Sequence, residues 1–201
     1  QAFRALRPVP DKAEAVAALP YDVVSREEAK EIGDQNPDSF LHVDRAEMDL
    51  PADTDLYDQK VYDRARENLI NMEKNGILVQ DGAPCYYIYE LTRKGKTQTG
   101  LVGCCSIDDY MNGVVKKHEL TREDKEQDRI HHVDVCDANT GPIYLACKYP
   151  QELLDLMETW KASHDAVYDF VAEDEIGHRV WVIDGEVEKK VIAEQFGNIP
   201  S

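Results

Sequence analysis

Side chains with the chemistry of a binding site are concentrated between residues 114 and 132. Five cations (Lys116, Lys117, Arg122, Lys125 and Arg129) stand there among five acids (Glu119, Glu123, Asp124, Glu126 and Asp128), in a chain whose formal net charge is −17. Three of the six histidines, His118, His131 and His132, fall in the same stretch. Imidazole has the ordinary pKa nearest neutrality, where proton transfer is useful. Thr121 has the chemistry of a helix N-cap, with Asp124 three positions on, and on the helix so started Lys125, Arg129 and His132 share one face at i, i+4 and i+7. Lys116 and Lys117 precede that helix N-terminus, which itself favours negative charge. The expected ligand is a small anion, phosphate or carboxylate, held by Lys116, Lys117, Lys125, Arg129 and His132, with His118 or Glu119 as the base. A nucleotide is one such ligand. The same residues equally describe a solvated helix face whose charges pair among themselves. A metal centre is not expected: His118, His131, His132 and Asp134 match no ligand spacing, and the adjacent His131 and His132 point to different sides of a helix.

Other motifs add less. Pro20-Tyr21-Asp22 places Asp22 either in a pocket or in an Asx turn after a helix. Gly100 and Gly103 are too sparse to cradle a phosphate, and the dinucleotide, P-loop, nucleophile-elbow and zinc-protease patterns are absent from the sequence. Cys85, Cys104, Cys105, Cys136 and Cys147 are odd in number and form no C-x-x-C pair, so neither a disulfide framework nor a zinc finger is expected. Buried structural thiols are the reading for Cys104 and Cys105.

The elements that must position these groups follow from periodicity and punctuation. A short strand is expected at residues 2–6, then a helix over 11–18 closed by Pro20. Ser25 and Glu28 have capping-box spacing and start a helix to about Gln35. Residues 39–43 read as strand and 49–55 as an acidic loop. Tyr57, Val61, Ala65 and Leu69 recur every four positions, the buried face of a helix over 56–75 that Gly76 stops. After a short strand at 77–79, residues 85–91 pair with 97–107 across a Lys94-Gly95 turn. A strand over 142–148, a helix from Pro150 to about Ala162, an antiparallel pair at 166–172 and 178–184, and a helix over 186–196 stopped by Gly197 complete the reading. Because the strands pair through hairpins, the expected class is α+β, with an antiparallel or mixed sheet and packed helices.

At 201 residues, one large domain and two small lobes are both open, and no internal boundary is legible. The composition, 42% hydrophobic and 31% charged, is that of a folded chain. So negative a surface repels phosphate backbones and anionic lipid, which argues against nucleic acid or membrane as partner. No apolar run approaches a membrane span and no signal pattern opens the chain, so a cytoplasmic location is expected.

Several stretches together resemble one family: Phe3-Arg4-Ala5-Leu6-Arg7-Pro8, Pro20-Tyr21-Asp22-Val23-Val24-Ser25, Asn36-Pro37-Asp38-Ser39-Phe40-Leu41-His42-Val43, and Lys116-Lys117-His118-Glu119-Leu120-Thr121 followed by Asp124-Lys125-Glu126 and Asp128-Arg129. With Thr97-Gln98-Thr99-Gly100-Leu101-Val102 and Gly141-Pro142-Ile143-Tyr144, they are similar to the domain of unknown function 1015 family in register across the chain. That resemblance implies a protein about twice as long, continuing past the region of residues 194–200 into an Asp-Gly-His-His-Arg motif. The motif looks like the phosphate-handling element of the ParB and sulfiredoxin superfamily, which includes free-serine kinases. On that basis the chain is expected to be the N-terminal part of a nucleotide- or phosphate-dependent small-molecule phosphotransferase, inactive alone and partnered by its own C-terminal half. The alternative is a non-catalytic interaction or regulatory module.

Overall fold

Residues 1–117 and 122–199 are described in the structure, a computed structural model. In chain order its elements are β1 (Leu6–Pro8), a 3-10 turn (Pro10–Lys12), α1 (Ala13–Val16), α2 (Arg26–Gln35), α3 (Leu41–Asp44), a second 3-10 turn (Ala46–Asp49), α4 (Gln59–Lys74) and β2 (Leu78–Gln80). Then come β3 (Tyr86–Arg93), β4 (Lys96–Val102), α5 (Ile107–Met111), α6 (Glu123–Cys136), α7 (Gln151–Ser163), β5 (Tyr168–Val171), β6 (Gly177–Ile183) and α8 (Glu186–Gly197). The class is α+β. The chain divides into a sheet unit (Gln1–Pro10, Gln80–His118 and Ile143–Ser201) and a helical unit (Asp11–Val79 and Glu119–Pro142). No helix of the described residues is long and apolar enough to cross a membrane.

In the sheet unit, four antiparallel strands lie in the order β4-β3-β6-β5. The β3–β4 hairpin turns at Lys94 (φ 50°) and Gly95 (φ 73°), both left-handed, as a two-residue turn matched to strand twist requires. Alternation sends Tyr86 and Ile88 of β3, with Trp181 and Ile183 of β6, to the face covered by Leu153, Met157 and Trp160 of α7 and Ile192 of α8. Glu90 lies on that covered face. Its carboxylate is 10% exposed and meets Lys161 Nζ at 2.9 Å, itself 14% exposed, while Thr99 Oγ1 donates to it at 3.1 Å. Burial raises the carboxyl pKa, but the Lys161 bond and charge outweigh it, and the net shift is downward. The N-terminal segment is laid onto the same unit. Phe3 and Cys85 exchange backbone bonds at 3.0 and 2.9 Å, and Asp81 N–H donates to Ala5 O at 2.9 Å. Arg7 holds both Asp81 oxygens through Nε at 2.9 and 3.0 Å and donates from Nη1 to Tyr168 OH at 3.0 Å, while Tyr87 OH donates to Asp81 at 2.5 Å.

The helical unit is organised by local capping and one clamp. The Ser25–Glu28 capping box is formed in both directions, Asp58 caps α4, and Gly76 (φ 71°) stops it with Ile77 N–H reaching back to Met72 O at 2.9 Å. Val61, Tyr62, Ala65, Leu69 and Met72 are the buried stripe of α4. Arg26, in the first turn of α2, donates to five carbonyls of the following acidic segment: Glu47, Leu50, Pro51, Ala52 and Thr54. One guanidinium thus satisfies a loop that has no ladder of its own.

Several expectations need correction. Cys104 and Cys105 are exposed rather than buried, Tyr57 is exposed and precedes α4, and the first strand is Leu6–Pro8 rather than residues 2–6. Residues 39–43 are not a strand: Asn36 Oδ1 accepts from Asp38 N–H and Ser39 Oγ from Leu41 N–H, and these side-chain caps wind the segment into α3. Residues 142–148 form no strand; Tyr144 meets β4 by its side chain, its hydroxyl accepting from Gln98 Nε2, and the next tyrosine, Tyr149, accepts from Leu101 N–H. β4 ends at Val102 because Ser106 Oγ accepts from Asp109 N–H and starts α5. The helix expected over 11–18 shortens to a 3-10 turn and α1. α8 includes Gly197 and closes at Asn198 without a left-handed residue.

Replacing Lys161 by Met leaves the buried Glu90 with only Arg179 at 3.6 Å and Thr99, and should lower stability by about 1–3 kcal/mol, whereas Glu90→Leu with Lys161→Met should recover most of it. Urea titration by tryptophan fluorescence reads this directly, since Trp160 and Trp181 are the chain's two tryptophans and both lie in that core. Arg26→Ala should speed amide exchange at residues 47–54 before global unfolding, measured by mass spectrometry.

Candidate functional site

α6 carries most of the described residues expected to bind a ligand. It starts at Glu123, with Arg122 at the N-cap position making no side-chain cap bond. Thr121, His118 and Glu119 lie outside the described residues. Acids fill the first turn, and Asp124 is held by Arg122 at 2.7 Å. They already complement the positive helix end, which weakens the case for an anion at the N-terminus itself. Lys125, on this turn, is exposed.

Further along α6 the charges turn inward. Arg129 lies over the Tyr21 ring, Cζ 4.3 Å from its centroid, and binds Asp128 Oδ2 through Nε and Nη2 at 3.1 Å each. Its side chain is 30% exposed, and Nη1 has no partner among the described residues. Tyr62 of α4 donates its hydroxyl to Asp128 at 2.9 Å, and its ring meets that of His131 edge-on at 4.3 Å. His131 Nε2 in turn is 2.8 Å from Gln59 Oε1. His132, one turn beyond Asp128, is 4% exposed; its Nε2 donates to Val43 O at 3.1 Å and its Nδ1 is buried without a partner. Thr140 donates to the half-buried Asp44 at 2.8 Å.

Electrostatics separate the two groups at the inner end. Burial lowers the His132 pKa, with the Arg129 charge acting the same way against the Val43 carbonyl and Asp44. Burial raises Asp44, against Thr140, His132 and Arg129. Cys136, buried one turn after His132, is pushed up to about 11 by burial and by Asp44, so it is a structural thiol at neutral pH. A second imidazole, His42, behaves oppositely: its Nδ1 donates to Asp49 at 2.9 Å, Asn68 buttresses the same carboxylate at 2.8 Å, and the Asp49 bond raises its pKa against burial. α2 approaches it so closely that a Cβ at Gly33 would lie 2.5 Å from Met48 Cε and 3.2 Å from the His42 ring.

Of the residues expected to form the site, Arg129 and His132 therefore share the inward side of α6, while Lys125 faces solvent. Lys116 and Lys117 are exposed and belong to the sheet unit, Lys117 with Nζ 4.6 Å from the Tyr110 centroid. Asp22 is exposed; its neighbour Tyr21 is the member of that tripeptide beside Arg129. Asp44, Tyr62 and Thr140 were not anticipated. Among the described residues no group of three or more His, Cys, Asp or Glu is placed to hold a metal. The arrangement can grip a small anion at the open edge of Arg129 and keep a neutral imidazole next to a carboxyl that protonates readily.

Three segments that carry the family resemblance thus meet in this unit: Tyr21 from residues 20–25, Val43 from 36–43 and Arg129 from the α6 motif. The family described as protein of unknown function (DUF1015) matches the chain over residues 1–201. The chain belongs to that family. Comparison with curated proteins and with solved structures gives no match. Family membership therefore carries no reaction with it, and the chemistry rests on the side chains.

The two imidazoles make opposite contributions to stability against pH. His132 has a folded pKa below its unfolded value of about 6.5, so the unfolded chain takes up the proton first and stability falls as pH drops below that value. His42 has a folded pKa above it, so its contribution is complete below about 6.5 and is lost as pH rises through the folded value. His132→Gln should flatten the acid limb of a denaturation-midpoint profile between pH 5 and 8, and His42→Asn the alkaline limb.

Proposed function

We propose that this chain is the N-terminal part of a cytoplasmic, nucleotide- or phosphate-dependent small-molecule phosphotransferase, with Arg129 as the anion-holding group. One observation supports the reading: a guanidinium lying over Tyr21 and oriented by Asp128, whose Nη1 has no partner among the described residues, in the unit where three segments that carry the family resemblance meet. Stacking and a carboxylate fix the plane of the cation before any ligand arrives, and phosphoryl transfer depends mainly on such positioning and charge stabilisation. In this reading Glu119 or His118, just before α6 in the sequence, accepts the proton of the acceptor hydroxyl. With a nucleoside triphosphate as donor, that oxygen forms the new bond to the γ-phosphorus, the bond from the γ-phosphorus to the β–γ bridging oxygen breaks, and that oxygen leaves on the nucleoside diphosphate. Lys125 adds charge at the exposed turn. The chain's C-terminal half is the partner this reading requires.

A second reading, a non-catalytic interaction module, is favoured by a different observation: Ile143 and Tyr144 are 79% and 77% exposed.

Thermal-shift measurements with inorganic phosphate, ATP, serine and phosphoserine separate the two. A ligand at about 100 times its dissociation constant adds about 2.7 kcal/mol. A rise in melting temperature is expected with phosphate or ATP, lost in Arg129→Ala and partly kept in Arg129→Lys, both checked for folding by circular dichroism. A shift untouched by Arg129→Ala removes the assignment of that residue, and no shift with any of the four, in this chain or in a full-length form, leaves the module reading.

A further inference from the structure

The sheet unit ends in a feature that the phosphotransferase reading does not use. β4 is the edge strand of the sheet, and its ladder to β3 fixes which backbone groups face outward. Lys96 pairs with Arg93 across the two-residue turn, so the bonded positions are Lys96, Gln98 and Gly100, and the outward-facing ones are Thr97, Thr99 and Leu101. Leu101 N–H confirms the parity by donating to an outside partner, the Tyr149 hydroxyl oxygen, at 3.3 Å. No outside hydrogen bond reaches Thr97 N–H or Thr99 N–H among the described residues.

Beside this edge lies a groove of about 700 Å³ lined by Leu91, Arg93, Lys94, Lys96, Gln98 and Ile176. Its floor is apolar and its rim basic. Arg93, Lys94 and Lys96 are exposed and have no ion-pair partner among the described residues, in a chain of net charge −17 where acids outnumber bases 40 to 23. Three adjacent cations at one hairpin tip therefore form a local basic patch on an acidic chain. The turn residues Lys94 and Gly95, both left-handed, hold those cations on a stiff support. Exposed Tyr144, tied to Gln98 by its hydroxyl at 2.8 Å, adds an aromatic wall.

We propose that the β4 edge and the basic hairpin tip form a docking surface for an extended, acidic segment of a partner protein. The segment adds a fifth strand: its backbone pairs with Thr97 and Thr99, its side chains on the groove face lie beside Lys96 and Gln98 at the groove's outer rim, and its carboxylates face Arg93, Lys94 and Lys96. Charge complementarity selects this occupant. A basic strand is repelled by the tip, and a second copy of this acidic chain pays net repulsion everywhere but there.

The test is fluorescence anisotropy with a labelled Glu-Val-Glu-Ile-Glu-Val-Glu peptide, titrated with this chain at low and at physiological ionic strength. Saturable binding that weakens with salt is expected, at least tenfold weaker for Lys94→Glu with Lys96→Glu, and absent for the corresponding lysine peptide. Thr97→Pro, which deletes one outward N–H on an edge where proline is tolerated, should also weaken binding without lowering the melting temperature by more than a few degrees. The surface charge variant keeps the test decisive if the proline variant does not fold. No binding up to about 1 mM, equal binding of the lysine peptide, or an affinity indifferent to the charge reversal overturns the proposal. Concentration-dependent self-association abolished by Thr97→Pro assigns the edge to a second copy and overturns the acidic partner.

Discussion

The bidentate grip of Arg7 on Asp81 is the constraint on which the sheet unit depends. It joins residues 74 positions apart, and it does so beside two tyrosine hydroxyls, so that one guanidinium and one carboxylate orient Tyr87 on β3 and Tyr168 on β5. Each nitrogen of the arginine and each oxygen of the aspartate has a partner, which favours a half-buried ion pair that stabilises rather than costs. The N-terminal segment, too short to bury much apolar surface, stays on the unit because of this pair and the backbone exchange between Phe3 and Cys85. On the covered face, Glu90 and Lys161 repeat the logic: a charge is admitted under α7 because its counter-charge comes with it.

In the helical unit the polar groups are arranged differently. Arg26 spends its donors on carbonyls, a purely structural use, whereas Arg129 keeps an edge free. The difference marks which guanidinium is available to a ligand. His132 and Asp44 supply a neutral base and a reluctant acid behind it, and perturbations of opposite sign next to one another are the pattern that functional sites share with structural polar networks. The proposed role of Arg129 rests on its Nη1, which has no partner among the described residues, and not on the pKa pattern.

Much of this was legible in the residues, and the parts that were not share a cause. The capping box at Ser25, the stop at Gly76 and the turn at Lys94-Gly95 are local, so their geometry is set by the residues that spell them. Residues 39–43 and 142–148 have strand-like composition, but their states are decided elsewhere: by Asn36 and Ser39 caps in one case, and by tyrosine hydroxyls that take the place of a backbone ladder in the other. The site was half visible for the same reason. Helical spacing put Arg129 and His132 on one side of α6, but nothing local says that Tyr21, Asp44 and Thr140, remote in sequence, gather there, or that Lys125 points away. The division into two units was hidden because each is built from segments that leave and return.

That interleaving bears on how the chain is made. β3 and β4 close as a hairpin as soon as residue 102 has been synthesised, yet the other edge of β3 belongs to β6, which begins at Gly177. For the whole interval in which residues 103–176 emerge, β3 carries the outward backbone groups of Ile88, Glu90 and Thr92 along an unpaired edge. Long-range strand pairing of this kind is slow, and an open edge invites the wrong neighbour. The helical unit interrupts the sheet unit twice, so its first part is complete before the sheet can be. Ribosomal pausing, chaperone occupancy and growth temperature should therefore govern the yield of this protein more than its final stability does, with the nascent β3 edge as the vulnerable surface.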